Sequence, residues 1–172
     1  MKFILADDFI RIRSKYIEVI ERTSNMSIYA RWVYGQHPTD AMIQSYIDNN
    51  EMYMLMDKQS IAGMMAITMS QDKDYRDVEW KIELEDSEVA VIHILAVIPE
   101  YQQMGIGKRM IEEAISLAKQ NGKKAVRLDA LASNTPAHHM YERMGFEYRG
   151  KANLFAENTG WTDFFFFELI LI

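Results

Sequence analysis

The stretch Leu95-Ala96-Val97-Ile98-Pro99-Glu100-Tyr101-Gln102-Gln103-Met104-Gly105-Ile106-Gly107-Lys108 decides how the rest of the chain is interpreted. It begins inside the run 89–98, which is short, apolar and rich in β-branched residues, as buried strands are. Pro99 ends that strand, because proline has no N–H group to donate to a sheet. Gly105 and Gly107 then open an amphipathic helix. The stretch therefore predicts a strand, a tight glycine loop and a helix N-terminus.

A helix N-terminus of this kind can hold a phosphate group. Its first turn leaves N–H groups unpaired, and the helix dipole adds partial positive charge there. Two common phosphate-binding motifs are excluded by spacing. Arg109 stands where a P-loop needs Ser or Thr, and Met110 stands where a dinucleotide-binding fingerprint needs its third glycine. It remains open at this point whether Gly105 and Gly107 only make a turn and begin a helix.

Two spaced motifs carry a resemblance to a known family. The first is Gln102-x-x-Gly105-x-Gly107, and the second is Asn134-x-x-Ala137-x-x-x-Tyr141-x-x-x-Gly145-Phe146. Together they resemble the signatures of the GNAT superfamily of N-acetyltransferases, over about residues 89–167. The resemblance implies a single α/β domain whose mixed central sheet splays into a V around the acyl-CoA site, flanked by helices. It also implies acetyl-CoA as co-substrate and no metal. Residues 1–172 would form one domain, with a more variable acceptor-side half at 1–88 and an acyl-CoA-binding half at 89–172.

The resemblance also implies which residues bind the co-substrate. Leu95, Ala96 and Val97 would use backbone groups to hold the pantetheine arm and to polarise the thioester carbonyl. Asn134 would contact the same arm, and Ala137 would leave room for it. The pyrophosphate would lie on a loop made of Gln102, Gln103, Met104, Gly105, Ile106, Gly107 and Lys108. Gln103 and Met104 depart from the family pattern, which often has a basic residue or glycine there, but they remove no backbone donor.

Tyr141 is the catalytic residue that the resemblance implies, placed near the thioester sulfur to stabilise or protonate the departing thiolate. A phenol has a pKa of about 10 and a thiol about 8.5, so full proton transfer would be uphill by roughly 2 kcal/mol. Hydrogen bonding is therefore the stronger expectation. Core packing remains an alternative for Tyr141, because it shares an apolar helix face with Ala137, Met140 and Met144. Asn134 could likewise serve only as a helix cap.

His93 is the candidate general base. Only a free amine attacks a thioester, so a proton must be removed, and histidine titrates near neutral pH. Strand alternation predicts that His93 points to the same face as Leu95 and Val97. His93 resembles a histidine that some family members use as the base, whereas others use a glutamate through water, for which Glu79 and Glu83 are fallback candidates. A structural role inside the core remains an alternative for His93.

Composition limits the classes of protein that fit. A chain of 172 residues that is 49% hydrophobic predicts one domain with a sizeable core. No apolar run approaches the roughly 20 residues of a membrane span, and none resembles a signal peptide, so we expect a cytoplasmic location and no membrane partner. The chain has no cysteine and hence no thiol nucleophile, and its four histidines show no zinc spacing. The net charge of −6 argues against a nucleic-acid partner.

Periodicity predicts the remaining elements. Strands are expected at 2–5, 52–57, 61–69, 125–130, 146–155 and 162–172, and helices at 9–20, 39–50 and 105–120, with short helices within 23–35 and from Asn134. The strand at 162–172 contains four consecutive phenylalanines and is apolar on both faces, so it should lie inside the sheet. Segment 72–88 carries eight acidic and three basic residues. Its alternating pattern predicts a strand, with an ordered loop as the alternative.

The predicted function is transfer of an acetyl group from acetyl-CoA to a primary amine by direct attack. We expect a small-molecule acceptor rather than a protein, in a pocket shaped by Trp32, Tyr34 and the acidic segment, whose charge would favour a cationic amine. A homodimer is possible on the resemblance. Two other classes stay open, namely a catalytically lapsed acyl-CoA-binding regulatory module and a nucleotide-binding protein without acyl chemistry.

Overall fold

Seven strands form one mixed sheet in the computed structural model, which describes residues 1–171. The strand order is β1-β2-β3-β4-β5-β7-β6, and only β4 and β5 run parallel. The predicted α/β fold with a mixed sheet is confirmed. The strands are β1 (Lys2–Leu5), β2 (Met52–Asp57), β3 (Ser60–Thr68), β4 (Val89–Val97), β5 (Ala125–Leu131), β6 (Glu147–Ala156) and β7 (Gly160–Ile170).

Two helices cover each face of this sheet, and their positions confirm the predicted long helices. The helices are α1 (Phe9–Arg22), α2 (Asp40–Asp48), α3 (Ile106–Gln120) and α4 (Thr135–Arg143). The side chains of Asp8 and Thr39 cap α1 and α2 by accepting hydrogen bonds from backbone N–H groups in the first turn. Buried residues of α1 and α2 pack in one hydrophobic layer, and those of α3 and α4 pack in the layer on the opposite face.

β7 is an interior strand, as its apolar faces predicted. It lies between β5 and β6. Phe165 and Phe167 pack with the α3 and α4 layer, whereas Phe164 and Phe166 pack beneath the segment that follows β3. The predicted strand included Ile172, which lies outside the described residues.

One predicted helix was wrong, and one segment with two predicted alternatives is a loop. Residues 23–35 form a series of turns rather than a helix, and left-handed backbone at Asn25 (φ 60°) and Arg31 (φ 56°) is incompatible with a continuous helix. Segment 72–88 forms an ordered loop rather than a strand, with only short 3-10 turns at Lys73–Tyr75 and Asp86–Glu88. Its alternating apolar residues pack onto the sheet face around Phe166 instead of pairing with a strand.

The sheet opens between β4 and β5. Their parallel pairing runs from Val89 opposite Ala125 to Ile92 opposite Leu128 and then stops. Beyond that point β4 remains paired with β3, and β5 remains paired with β7. The two strands therefore diverge with free edges, which is the predicted V.

A β-bulge lies directly after the point of divergence. Ile94 and Leu95 together stand opposite Met65, because His93 pairs with Ala66 and Ala96 pairs with Met64. Ile94 adopts φ 43°, a conformation that costs a β-branched residue about 1–3 kcal/mol. An extra residue of this kind bends a strand and increases its local twist.

The bulge shifts the alternation of side chains along β4 by one residue. Ile94 packs in the layer of α1 and α2, whereas Leu95 and Val97 pack in the layer of α3 and α4. His93 stacks on Tyr46 of α2, with 5.6 Å between ring centroids. The prediction that His93 shares a face with Leu95 and Val97 is therefore wrong, since it assumed a regular strand.

Candidate active site

The loop that precedes α3 presents unpaired backbone N–H groups. Gly105 is the N-cap residue and has left-handed backbone at φ 77°. No side chain caps the helix, and the first intrahelical bond runs from Arg109 N to Gly105 O at 3.1 Å. The N–H groups of Ile106, Gly107 and Lys108 therefore have no intrahelical acceptor, as the N-terminal turn of a helix dictates.

A cleft of about 690 Å³ lies in front of this helix turn. Gly107 allows α3 to approach its neighbours closely, because a Cβ atom there would lie 3.2 Å from Met140 Sδ and 3.7 Å from Val97 Cγ2. Arg143 of α4 contributes positive charge beside Lys108, whose Nζ is 3.6 Å from Glu112. The cleft is lined by predicted site residues, which are Leu95, Val97, Gln102, Gln103, Gly105, Ile106, Gly107 and Lys108. Met104 is 64% exposed and is not part of this lining.

The free edge of β4 supplies further backbone groups. Ile98 N donates to Ala62 O at 3.0 Å, so the alternation of an antiparallel ladder directs the N–H groups of Leu95 and Val97 away from β3, into the gap. By the same alternation the N–H group of Ala96 faces β3. Gln102 Nε2 donates to Val97 O at 3.1 Å and to Thr23 Oγ1 at 2.9 Å, which ties the start of the loop to this edge.

A second cavity, of about 520 Å³, adjoins the cleft at this edge. Leu95, Val97, Gln102 and Pro136 line both spaces. The second cavity also brings together three further predicted site residues, namely His93 from β4 and Asn134 and Tyr141 from α4.

Tyr141 reaches this cavity from α4. It is 7% exposed and packs against Phe146 and Phe167. The ring of Tyr141 is therefore part of the core, as the core-packing alternative predicted. Its hydroxyl makes no hydrogen bond within residues 1–171, although it is not sealed from solvent. Burial, with a smaller effect from the nearby charge of Asp129, raises the pKa of Tyr141 well above its ordinary value. The hydroxyl is therefore a protonated hydrogen-bond donor.

Asn134 occupies the N-cap position of α4 but makes no capping hydrogen bond with its side chain. Its amide therefore remains available to the cavity that it lines. Ala137 lies one turn further along and packs against the core rather than lining either space.

His93 is held in one tautomer by its neighbours. Its Nε2 atom is 3.1 Å from Thr68 Oγ1, and that hydroxyl donates its own hydrogen to Ser70 O. Thr68 must therefore accept from Nε2–H, which leaves Nδ1 as the basic nitrogen. Burial lowers the pKa of His93 from 6.5 to about 4, against a smaller opposing effect of Asp72. His93 is neutral at neutral pH.

Two carboxylates of the acidic segment and one that sequence reasoning missed, Asp129, also line the second cavity. They are Asp72 and Asp74 from the loop before β4, and Asp129 from β5. Asp129 accepts a hydrogen bond from the Tyr75 hydroxyl at 2.5 Å, and burial raises its pKa. The available signal was a pair of charged residues two apart in an otherwise apolar strand, Arg127 and Asp129.

The residues expected to shape the acceptor pocket divide into two groups. Trp32 lines the second cavity. Tyr34, however, is exposed beside Arg13, and Glu79 and Glu83 are exposed outside the cavity lining. The fallback glutamates therefore do not face the space in which a substrate amine would lie.

Residues 18–146 match the family model described as "Acetyltransferase (GNAT) family". The chain belongs to this family. The matched range contains the glycine loop, the bulged strand and Tyr141, so the sequence match and the two adjoining spaces concern the same residues.

Curated relatives match shorter stretches. An uncharacterized N-acetyltransferase of Methanocaldococcus jannaschii is 39% identical over 71 residues, which are 41% of this chain and 31% of the relative. The [ribosomal protein bS18]-alanine N-acetyltransferase of Escherichia coli K12 is 35% identical over 57 residues, which are 33% of this chain and 38% of the relative. The chain thus spans about a third of the length of these relatives.

Solved structures share the whole fold at low identity. The yncA structure of Salmonella typhimurium, solved with its cofactor acetyl-CoA, has a TM-score of 0.71 at 16% identity and covers 100% of this chain and 94% of its own. A ribosomal-protein-alanine N-acetyltransferase from Brucella melitensis has a TM-score of 0.72 at 16% identity, covering 99% of this chain and 100% of its own. Both likenesses concern the GNAT fold alone.

Residues 1–171 contain neither a cluster of metal-ligating side chains nor a membrane-spanning helix. No group of three or more His, Asp or Glu side chains there is arranged to hold a metal ion. None of the helices in the same range has the length and apolar character to cross a membrane.

Proposed function

We propose that this GNAT protein transfers an acetyl group from acetyl-CoA to the primary amine of a small cationic molecule by direct attack. One observation carries the proposal. The cleft at the glycine loop and the cavity that holds Tyr141 meet at the free edge of β4, so a thioester lying along that edge would have an amine pocket beside it.

The residues of the cleft fit an acyl-CoA. The N–H groups of Ile106, Gly107 and Lys108 would bind the pyrophosphate, with positive charge from Lys108 and Arg143 nearby. The gap-facing backbone of Leu95 and Val97 would hold the pantetheine arm, and the uncapped amide of Asn134 would contact it from the other side. Among these groups, the N–H groups of Ile106, Gly107 and Lys108 have no intrahelical acceptor, and the Asn134 side chain makes no capping hydrogen bond.

The chemistry needs no acyl-enzyme. The amine nitrogen attacks the thioester carbonyl carbon, the new C–N bond forms and the C–S bond breaks. The N–H group of Leu95 would stabilise the negative charge that develops on the carbonyl oxygen. The electron pair leaves on sulfur, where the Tyr141 hydroxyl would donate a hydrogen bond. Because its pKa is raised, Tyr141 would stabilise the thiolate by a hydrogen bond and would not transfer its proton to the sulfur.

The amine must also lose one proton. With a pKa of about 4, His93 cannot deprotonate an ordinary ammonium ion efficiently. After attack, however, the nitrogen is bonded to an electron-poor carbon and becomes far more acidic. We therefore assign His93 Nδ1 to that later proton. The reacting nitrogen of the substrate would bind as the small fraction of free amine, and a second cationic group would carry the positive charge.

The lining of the second cavity supports a small cationic acceptor. Asp72, Asp74 and Asp129 would favour a positively charged molecule, and a volume of about 520 Å³ suits a small one. A protein N-terminus, the acceptor named for the Escherichia coli relative, is the competing class.

The test is release of free CoA thiol from acetyl-CoA in the presence of monoamines, diamines, polyamines, amino acids and N-terminal peptides. Amine-dependent release with small cations, lost in a Tyr141→Phe variant, would support the proposal. Release with peptides alone would transfer the acceptor to proteins. Tight acetyl-CoA binding with no release for any amine would favour a lapsed regulatory module.

A further inference from the structure

We propose that Arg127 is a positioning residue that sets acceptor recognition by holding the acceptor loop, defined as residues 69–88. The inference rests on the proposed function, because it assigns a role in amine binding. It concerns a buried side chain that touches neither the cleft nor the second cavity.

Arg127 lies in the middle of β5, and its side chain is 1% exposed. Its Nε and Nη2 atoms donate to Glu168 Oε1 of β7 at 3.0 and 2.8 Å. The remaining contacts go to the acceptor loop. Nη1 donates to Gln71 Oε1 at 2.6 Å, Nη2 donates to Ile82 O at 3.2 Å, and the Trp80 ring lies 4.0 Å from the guanidinium carbon.

Glu168 completes the attachment. Its Oε2 atom accepts a hydrogen bond from Lys81 N at 3.0 Å. The beginning of the loop, at Gln71, and its middle, at 80–82, are therefore bound to one buried ion pair. No residue of the loop belongs to a strand within residues 1–171. Backbone hydrogen bonds from Gln71 N to Asp86 O and from Lys124 N to Glu88 O hold its two ends, and the side-chain contacts of the ion pair hold its middle.

The loop in turn supplies the acceptor cavity. Asp72, Asp74 and Tyr75 lie between the two anchored points and line that cavity. Tyr75 also donates to Asp129, which stands two residues after Arg127 on the same face of β5. β5 thus holds the acceptor loop through Arg127 and contacts the cavity-lining part of that loop through Asp129.

The energetics of buried ion pairs favour a role beyond stability. Removing two charges from water is costly, and replacing such a pair by apolar side chains of similar volume is often neutral or stabilising. Apolar side chains could fill this space, but they could not bind Gln71, the Ile82 carbonyl and Lys81 at fixed positions. The main effect of the Arg127–Glu168 ion pair is therefore on the geometry of the acceptor loop, not on the stability of the fold.

The experiment compares Arg127→Lys with Arg149→Met. Arg149 also lies near Glu168, at 3.6 Å, but donates to no residue of the acceptor loop, so it is the matched control. For Arg127→Lys we expect at least a tenfold rise in the KM for the acceptor and less than a twofold change in the KM for acetyl-CoA. Arg149→Met should leave both constants within twofold.

A second readout does not depend on the acceptor. Lys73, Arg76 and Lys81 are exposed trypsin sites within the loop. In Arg127→Lys we expect trypsin to cut at these sites at least tenfold faster than in the wild type, whereas Arg149→Met should not change the rate. If Arg127→Lys fails to fold, the Arg127→Met/Glu168→Gln double variant removes both charges together.

The outcomes separate the two proposals. Unchanged loop cleavage would overturn the anchoring role whatever the reaction is. Faster cleavage with an unchanged acceptor KM, or an equal rise in both KM values, would overturn the role in acceptor recognition. Failure to find any acceptor would count against the proposed function, while cleavage rates and acetyl-CoA affinity would still test the loop.

Discussion

Replacing Tyr16 by phenylalanine should impair catalysis from the far side of the sheet. Tyr16 belongs to α1 and is 1% exposed. Its hydroxyl donates to Ile94 O at 2.8 Å, and Ile94 is the residue whose left-handed backbone forms the bulge of β4. The substitution removes one oxygen atom and leaves the ring in place, so it tests whether this hydrogen bond holds the bulge.

The magnitude follows from the buried carbonyl. A buried acceptor that loses its partner costs about 1–3 kcal/mol, so we expect a loss of about 2 kcal/mol in the free energy of unfolding. For a domain of this size that loss corresponds to roughly 4–8 °C in Tm. Without the hydroxyl, Ile94 can relax from a conformation that costs a similar amount, and Leu95 N would move with it. Complete loss of an oxyanion donor costs about 100- to 1000-fold in kcat, so we expect about tenfold for displacement.

The assay is steady-state acetyl transfer beside thermal unfolding. Tyr53→Phe is the control, because Tyr53 stacks on Phe3 in the β1–β2 pair, away from β4. Adding Ile94→Gly to the Tyr16→Phe variant should recover part of kcat, since glycine adopts positive φ without strain. A Tyr16→Phe variant that loses stability but keeps the wild-type kcat would refute the reasoning.

Three further predictions concern the site itself. Tyr141→Phe should lower kcat by about 10- to 100-fold with an unchanged KM for acetyl-CoA, and an unchanged kcat would remove the tyrosine from the chemistry. Gly105→Glu should abolish acetyl-CoA binding by calorimetry, because it brings negative charge to the phosphate loop; Gly122→Glu, also at positive φ with open space, should bind normally. His93→Gln should flatten the pH dependence of unfolding. Because the pKa of His93 falls from 6.5 to about 4, the unfolded chain binds the proton more readily, and the wild type should lose about 3 kcal/mol as pH falls through that interval. Urea unfolding at pH 4–7 measures this difference, and equal slopes for variant and wild type would contradict it.

Much of the cleft could be predicted from local sequence. The glycine loop depends on Gly105 at positive φ and on Gly107 at a close contact, and both requirements are visible as residue types. The interior position of β7 followed from its four phenylalanines, because an edge strand of that kind would expose an apolar face. In these cases residue type and spacing carry the physical cause.

The second cavity could be predicted much less well, because its residues are placed by distant contacts. The face of His93 depends on a bulge that is supported by Tyr16, 78 positions away in the chain. The course of segment 72–88 depends on Arg127 and Glu168, which lie on other strands. Asp129 in β5 gave a signal as a charge within an apolar strand, but its partner Tyr75 belongs to segment 72–88, for which the sequence left a strand and an ordered loop as alternatives.

The bulge at Ile94 consists of one inserted residue, directly after the point where β4 and β5 separate. β4 and β5 run side by side as far as Ile92, and beyond that residue the N–H groups of Leu95 and Val97 face the gap between the two strands. Deleting Ile94 would leave Ala96 opposite Met64 and would remove the bend. We expect β4 and β5 then to pair beyond Ile92 and to close the gap between them. On this reasoning, one inserted residue in β4 accounts for the difference between a sheet with a gap and a continuously paired sheet.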